Sequence, residues 1–558
     1  MKIALCQIDT TVGALEANAE RVRAAAEKAK AAGAELALFP ELTLPGYPPL
    51  DLLERPSFLA ACQRVEAELV AQLPAGLTVI FGNIAPRDGT VHYGRALTNA
   101  AVVAQRGKVL GRVAKTLLPT YDVFDEGRYF EPSRSTPKLY DIGGMKVGVT
   151  ICEDGWNDQD FWTKETVVGD KSNALLYAHD PVATLARIGA EMIVNLSASP
   201  WSPPHVTIRQ RMLAHAAKRH RVFVAYTNLV GANDGLIFDG SSLAINAEGQ
   251  IVAQGASFQE DLVLVDTTHA APITPPKVDD LPAIRDALVL GIRDYCQKCG
   301  FKQVVIGLSG GIDSAVTAYL ATLALGKDGV IGVGMPSRFS SEGSVVDARA
   351  LAQNLGIRFE LVPIELMFHA YLGALAPAFG DRPTDVTEEN LQSRIRGATL
   401  MALSNKYGAI VLSTGNKSEA AMGYATLYGD TVGALCVIAD LYKHQIYALA
   451  RLANQEREVV PISTIDKPPS AELRPNQKDE DSLPPYAKLD LMLELFIEHR
   501  ATPEEMAKAA GVELALAKEI VRKVYLNEFK RRQLPPTLRV SRKSWVGRVY
   551  PIVQRFRE

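Results

Sequence analysis

Two adjacent glycines at the end of an apolar run constrain this chain most. Val304-Val305-Ile306-Gly307-Leu308 leads into Ser309-Gly310-Gly311-Ile312-Asp313-Ser314, and Ala315-Val316-Thr317-Ala318-Tyr319-Leu320 follows. An apolar run that breaks at glycine and restarts with apolar residues reads as strand, tight loop and helix. Glycines let the backbone come close to a ligand, and a helix start offers unpaired N–H groups to an anion. The serine hydroxyls add donors, and Asp313 suits a divalent cation held against phosphate oxygens. The lysine of a Walker loop, G-x-x-x-x-G-K-[ST], is missing. Two glycines alone would equally well open an ordinary helix.

The rest of the second half alternates regularly. Strands are expected at Val304–Leu308, Val330–Met335, Arg358–Val362 and Ile410–Ser413, with helices at Ser314–Leu325, Glu342–Leu355 and Glu388–Tyr407. That pattern predicts a doubly wound parallel sheet whose ligands lie beyond the carboxyl ends of its strands. Ser463–Pro485, polar and proline-rich, reads as a mobile loop or lid.

The first half is less uniform. Helix Leu15–Ala32 follows strand Lys2–Ile8, and further strands are expected at Glu35–Phe39, Leu77–Ile84, Leu97–Gln105, Lys146–Ile151, Met192–Leu196 and Val222–Asn228. Ser242–Asn246 and Gln250–Gln254 read as a hairpin around Ala247-Glu248-Gly249. Hairpins among helices favour a mixed sheet covered by helices. The prolines of Thr267–Pro282 break the periodicity, which sets a linker at 267–282 between domains at 1–266 and 283–558. A length of 558 residues fits more than one core.

With 60 Lys plus Arg against 63 Asp plus Glu, the net charge of −3 makes no electrostatic case for nucleic acid. No apolar run of about 18 residues suggests a membrane span or signal. Six cysteines in so long a chain make no disulfide scaffold, and a reducing cytoplasm fits. Cys296 and Cys299 have no second ligand pair, so no zinc site is expected from them.

Cys152 ends the apolar run Val147-Gly148-Val149-Thr150-Ile151 and precedes Glu153-Asp154. A lone cysteine there is usually a small buried hydrophobe. Glu41 follows Phe39-Pro40, and Lys115 closes Gly111-Arg112-Val113-Ala114; each alone reads as a surface charge. Together, Phe39-Pro40-Glu41, Lys115-Thr116-Leu117-Leu118-Pro119 and Gly148–Asp154 resemble the three elements of the nitrilase superfamily, in the same order. The resemblance implies a catalytic triad of Glu41, Lys115 and Cys152. Glu41 would take the thiol proton, Lys115 would stabilise the oxyanion, and Cys152 would carry a thioester.

The hexapeptide Ser309–Ser314 resembles the pyrophosphate loop of the ATP pyrophosphatases, which adenylate a carboxylate or carbonyl oxygen. An amide hydrolase joined to an adenylating domain resembles the glutamine-dependent NAD synthetase family over nearly the whole chain, from Ile3 to Arg532. That resemblance implies an α/β protein, with a nitrilase-like α-β-β-α sandwich followed by a doubly wound parallel sheet of the adenine nucleotide alpha hydrolase kind. It implies deamido-NAD+, ATP and glutamine as substrates, Mg2+ as cofactor, and a homo-oligomer.

Residue by residue, the family resemblance implies glutamine contacts at Tyr121, Ser199 and His205. It implies ATP contacts at Gly307, Leu308, Ser309, Gly310, Gly311, Ile312, Asp313, Ser314 and Thr414. Deamido-NAD+ would meet Asn390, Glu419, Asp430, Lys443 and Lys530, and Asp313 and Glu419 would hold the metal. Unaided, His205 reads as a surface loop residue, Arg394 and Arg396 as solvated charges, and Lys530 as part of a basic helix end. Phe529 stands where ammonia-using relatives have histidine. A glutamine-fed amidotransferase acting on another acid, or a sensor built on a degenerate synthetase, is the alternative at this point.

Overall fold

The computed structural model describes residues 1–87, 94–164, 177–276, 279–548 and 550–556. The chain forms two compact units, Met1–Val278 and Asp279–Glu558.

The first unit is an α-β-β-α sandwich. One six-stranded sheet runs in the order Asp261–Asp266, Lys2–Gln7, Leu36–Leu38, Thr78–Pro86, Leu97–Gln105 and Lys108–Ala114. The other runs Ile251–Gln254, Leu243–Ile245, Phe223–Asn228, Met192–Ser197, Met145–Ile151 and Leu139–Ile142. Both are mixed, as expected from the hairpins: Lys2–Gln7 pairs parallel with Leu36–Leu38 but antiparallel with Asp261–Asp266. Strand periodicity of two builds the layers. Ile3 and Leu5 face the second sheet and pack with Val147, Val149, Met192 and Val194, whereas Ala4 and Cys6 face the helices Leu15–Ala31 and Pro56–Gln72. The outer face of the second sheet packs Ile193 and Val224 against Met212 and Ala216 of helix Pro203–His220.

The second unit carries five parallel strands in the order Arg358–Leu361, Val330–Gly334, Val304–Gly307, Ile410–Ser413 and Leu435–Cys436. Chain progression runs one way from Val304–Gly307 and then resumes on its other side at Ile410–Ser413. The topological switch point therefore lies between these two strands, where ligands of such sheets bind. Beyond the sheet, Tyr486–His499, Pro503–Ala510 and Leu514–Leu526 form a helical cluster around Leu489, Met492, Met506 and Val521. Among the described residues, no helix is long and apolar enough to cross a membrane.

Three local readings change. Strand Lys108–Ala114, of which only the end was expected, alternates exposed and partly buried residues and pairs antiparallel with Leu97–Gln105. Helix Asp280–Lys298 starts before Pro282, where the linker was expected to end, because a proline in the first turn gives up an N–H that would lack a helical partner anyway. Residues 277 and 278 of that expected linker lie outside the described residues. The segment 463–485, expected to be mobile, is fastened instead: Glu472 accepts from the Ser341 and Ser344 hydroxyls at 3.0 and 2.7 Å, and Gln392 donates to the Leu473 carbonyl at 3.0 Å.

Gly82 shows how closely this fold packs around the turn after Phe39. A Cβ built there would lie 2.1 Å from the Leu42 nitrogen and 2.6 Å from the Glu41 carbonyl carbon. Both obstacles are backbone, so Gly82→Ala must displace the Glu41 turn. We expect it to lower stability by about 1–3 kcal/mol, read as a lower midpoint in urea, whereas Gly107→Ala, which meets nothing within 4 Å, should lose only its backbone preference for positive φ.

Candidate active sites

In the first unit, three strand ends converge on a buried cluster of side chains. Strand Met145–Ile151 stops at Cys152, which has φ +43° and opens a short 3-10 turn. This is the left-handed region, disfavoured for a residue with a side chain, and it turns the thiol out of the strand direction. Glu41 follows strand Leu36–Leu38, with Leu42 beyond it at φ +43°. Lys115 follows strand Lys108–Ala114.

Lys115 Nζ donates to Glu41 Oε1 and to Glu126 Oε1, each at 2.7 Å. All three side chains are buried, the lysine completely. Burial alone would drive the Lys115 pKa down; Glu126 and Glu41 more than reverse this and keep it an ammonium. Asn99 also donates to Glu41 Oε1, at 2.7 Å, and the Ala198 N–H donates to Glu41 Oε2 at 3.1 Å. Burial raises the Cys152 thiol well above its ordinary pKa; Glu41, Glu126 and Glu153 add to the rise and Lys115 opposes it. The thiol thus lies within electrostatic reach of all four, and it rests protonated. Nucleophilic attack from here needs a base at the moment of reaction.

Glu126 is a member of this cluster that sequence reading did not single out. It sits in a 3-10 turn, Glu126–Arg128, which gives no periodic signal. Burial, then Glu41, raise its carboxyl against the pull of Lys115. Glu153 was passed over in the same way: its carboxylate accepts from the Tyr121 hydroxyl at 3.0 Å on each oxygen. Asp154 accepts from the N–H groups of Thr116, Leu117 and Ile151, and so ties the Lys115 segment to the Cys152 turn.

Tyr121 is thereby joined to the residue next to Cys152. Ser199 donates its N–H to Asn228 Oδ1 at 2.9 Å, one residue from the Ala198 that binds Glu41. His205 lies in the first turn of helix Pro203–His220, bonded to the Ser202 hydroxyl at 2.9 Å and edge-on to Trp156. It is partly buried against these neighbours.

The second unit holds a cavity of about 530 Å³ at the switch point. Every residue expected to contact ATP or deamido-NAD+ lines it except Gly310. Gly310 has φ +76° and sits where a Cβ would meet the Ser344 carbonyl oxygen at 2.3 Å, so the loop depends on glycine there. Within the loop the Gly311 N–H donates to Ser309 Oγ at 3.1 Å, and Ser314 Oγ donates to the Gly311 carbonyl at 2.9 Å. Thr414 leaves the end of strand Ile410–Ser413 on the neighbouring edge.

Lys443 Nζ lies 2.5 Å from Asp313 Oδ2 and 3.6 Å from Glu419 Oε1. Asp313 Oδ1 accepts from Asn416 at 3.0 Å. Burial raises the Glu419 carboxyl, Asp313 raises it further, and Lys443 lowers it. Asn390 Oδ1 accepts from Thr426 at 2.7 Å, Asp430 accepts from the Thr426 N–H at 2.6 Å, and Lys530 donates to the carbonyls of Gly423 and Ala425 at 2.7 and 2.8 Å. Arg396 departs from the solvated reading. It lines the cavity, donates to the Met335 carbonyl at 3.0 Å, and burial lowers its pKa to about 10. Arg394 is exposed, as periodicity suggests.

Two carboxylates, Asp313 and Glu419, each in the first turn of a helix, suit Mg2+, which takes one or two protein carboxylates and completes its shell with water and phosphate oxygens. Among the described residues no three His, Cys, Asp or Glu side chains gather as a metal site, so phosphate would have to supply the remainder. The chemistry of this donor set fits such a cation: the Lys443 ammonium already sits 2.5 Å from Asp313 and 3.6 Å from Glu419, so both carboxylates face one positive charge.

Comparison with known proteins agrees with this division. The carbon-nitrogen hydrolase family model matches residues 2–163 and 176–271, and the NAD synthase model matches residues 284–535. The glutamine-dependent NAD(+) synthetase of Synechocystis is 45% identical over 562 residues, covering 99% of each chain. That of Thermotoga maritima is 40% identical, covering 100% of this chain and 99% of its own. A solved structure of the Acinetobacter baumannii glutamine-dependent NAD+ synthetase in complex with ADP superposes with a TM-score of 0.76 at 35% identity, covering 99% of this chain and 98% of that one.

Removing the ammonium tests the buried cluster. Lys115→Met leaves Glu41 and Glu126 together without a cation and should destabilise the first unit by about 3–5 kcal/mol. A carboxyl with a raised folded pKa binds protons more tightly folded than unfolded, so its stability contribution is present at low pH and lost as pH rises through the folded value. The Glu126 pKa is already raised, and losing Lys115 raises it further. The deficit against the parent should therefore grow from mildly acidic to alkaline pH, measured by denaturant unfolding; a pH-independent deficit would contradict this electrostatic account.

Proposed function

The chain belongs to the glutamine-dependent NAD(+) synthetase family, a family of ligases with a glutaminase domain, and from that premise we propose how its two sites share the reaction. Residues 1–266 hydrolyse glutamine, and residues 283–558 adenylate deamido-NAD+ and receive the ammonia. The observation that carries this reading is the Lys115 ammonium bonded to Glu41 beside the protonated Cys152 thiol.

Glu41 takes the Cys152 proton as sulfur attacks the glutamine amide carbon. Lys115 spends two of its three N–H groups on Glu41 and Glu126, which leaves the third for the oxyanion, alongside a backbone N–H near Glu153. Glu41 then delivers the proton to the departing ammonia. Water, with Glu41 as base, hydrolyses the thioester to glutamate. Tyr121, Ser199 and His205 orient the glutamine.

In the second unit, the nicotinate carboxylate of deamido-NAD+ attacks the α-phosphorus of ATP, forming an acyl-adenylate and releasing pyrophosphate. Ammonia attacks the acyl carbon and AMP leaves. The loop 307–314 with Thr414 binds ATP; Asn390, Glu419, Asp430, Lys443 and Lys530 hold deamido-NAD+. Mg2+, held by Asp313 and Glu419, would neutralise phosphate charge. No protein nucleophile is needed here, since positioning and charge stabilisation suffice.

Cys152→Ala should reduce NAD+ formation from glutamine below about one thousandth of the parent rate while synthesis from ammonium chloride stays at the parent rate; equal loss with both nitrogen sources would refute the division of labour. Asp313→Asn should slow AMP formation by about tenfold or more at fixed Mg2+ while Cys152 keeps its rate of alkylation by a glutamine analogue. An unchanged Mg2+ dependence would remove Asp313 from the metal site.

A further inference from the structure

The first unit contains a second buried ion pair that the reaction above does not use. Arg209, on helix Pro203–His220, donates from Nη1 to Asp239 Oδ1 at 3.1 Å and from Nη2 to Asp239 Oδ2 at 2.6 Å. Both residues are 1% exposed. Burying two charges is costly, and apolar packing would serve stability as well. The bonds that leave the pair lead toward Glu41.

Asn228, at the end of strand Phe223–Asn228, donates from Nδ2 to Asp239 Oδ1 at 3.2 Å and to the Gly240 carbonyl at 3.1 Å. Both of those groups only accept, so the amide must present its two hydrogens to them and its oxygen the other way. That oxygen accepts the Ser199 N–H at 2.9 Å. The preceding N–H, of Ala198, is the one that donates to Glu41 Oε2. The same short run reaches Cys152 from its other end: Ser197 Oγ donates to Asn195 Oδ1 at 2.7 Å, and Asn195 Nδ2 donates to the Cys152 carbonyl at 3.3 Å. Glu41 Oε1 is occupied by Lys115 and Asn99, whereas Oε2 has the Ala198 N–H. Oε2 is thus the oxygen with the greater free capacity for the thiol proton.

We infer that Asn228, oriented by the Arg209–Asp239 pair, is a positioning residue for glutamine hydrolysis: it fixes the Ala198–Ser199 backbone so that Glu41 Oε2 is aimed for proton transfer. The inference rests on Glu41 acting as the base. A misaimed base loses proton-transfer rate more than substrate affinity, so kcat should carry most of the loss.

The test compares Asn228→Ala, Asn228→Asp and Glu41→Gln in the full chain. Asn228→Ala should lower kcat with glutamine about 10- to 100-fold, the range of losses from supporting hydrogen bonds, slow alkylation of Cys152 by iodoacetamide, and leave synthesis from ammonium chloride unchanged. Asn228→Asp faces Asp239 and Arg209. Deprotonated, the new carboxylate can accept from Ser199 but repels Asp239; protonated, it can accept from Ser199 and donate its one O–H to Asp239, giving up only the bond to the Gly240 carbonyl. Its glutamine rate relative to the parent should therefore rise from about pH 8 to about pH 6, as a buried acid beside a carboxylate regains its proton. Parent-like glutamine kinetics in Asn228→Ala, or a flat relative pH profile in Asn228→Asp, would overturn the inference; the second result decides the matter even where the alanine variant does not fold. Glutamine hydrolysis surviving Glu41→Gln would instead overturn the assignment of the base, whereas an inactive Glu41→Gln beside a parent-like Asn228→Ala sinks the positioning role alone.

Discussion

A lysine with no exposed surface, held between two carboxylates, is the interaction on which the first unit depends. Lys115 would be expelled or neutralised in so dry a place without Glu41 and Glu126 at 2.7 Å. The carboxylates would equally repel one another without the lysine. The arrangement forces the turn after Leu36–Leu38, the end of strand Lys108–Ala114 and the turn Glu126–Arg128 to meet at one point. Gly82 belongs to the same constraint, since only a residue without a side chain lets strand Thr78–Pro86 lie against the Glu41 turn. The cluster suits chemistry on a thiol: its charged side chains are buried, and an ammonium is fixed within electrostatic reach of Cys152.

The second unit repeats the device in a different setting. Lys443 is buried between Asp313 and Glu419, but these carboxylates keep 19% and 18% of their side-chain surface and line a cavity of about 530 Å³. A nucleotide substrate brings its own charge, so the site must stay open and must exchange partners on binding. The doubly wound sheet supplies the opening, because strands Val304–Gly307 and Ile410–Ser413 release their loops to the two sides of the switch point. The segment 463–485 forms one wall, tied through Glu472 to the start of helix Glu342–Leu355.

Much of this was readable from the chain because the relevant residues sit where periodic runs stop. Phe39-Pro40-Glu41, Ala114-Lys115 and Ile151-Cys152 each mark a strand end, and Leu308 to Ser314 marks a strand-to-helix turn. The parallel sheet followed from the same alternation, whereas the first half by itself read only as a mixed sheet covered by helices, and the sandwich was implied by the family resemblance. Glu126, Asn99 and Asn228 escaped notice for physical reasons. Glu126 lies in an irregular turn, Asn99 follows another polar residue, Thr98, at the start of strand Leu97–Gln105 and has no mark of its own, and the meaning of Asn228 depends on Asp239 and Ser199, which only the fold brings to it. Arg396 looked solvated because helix Val386–Tyr407 has no strongly apolar stripe to show which side is covered. Segment 463–485 looked mobile because proline and charge resemble disorder until their hydrogen-bond partners, distant in sequence, are known.

The central claim is that nitrogen freed at the thiol site becomes the carboxamide nitrogen made at the nucleotide site. Incubation of the intact chain with deamido-NAD+, ATP, Mg2+ and glutamine labelled with 15N in the amide, followed by mass spectrometry of the dinucleotide, measures this directly. The account predicts NAD+ carrying the heavy nitrogen, with one AMP and one pyrophosphate released per molecule formed. Unlabelled NAD+, or ADP in place of AMP, would contradict it.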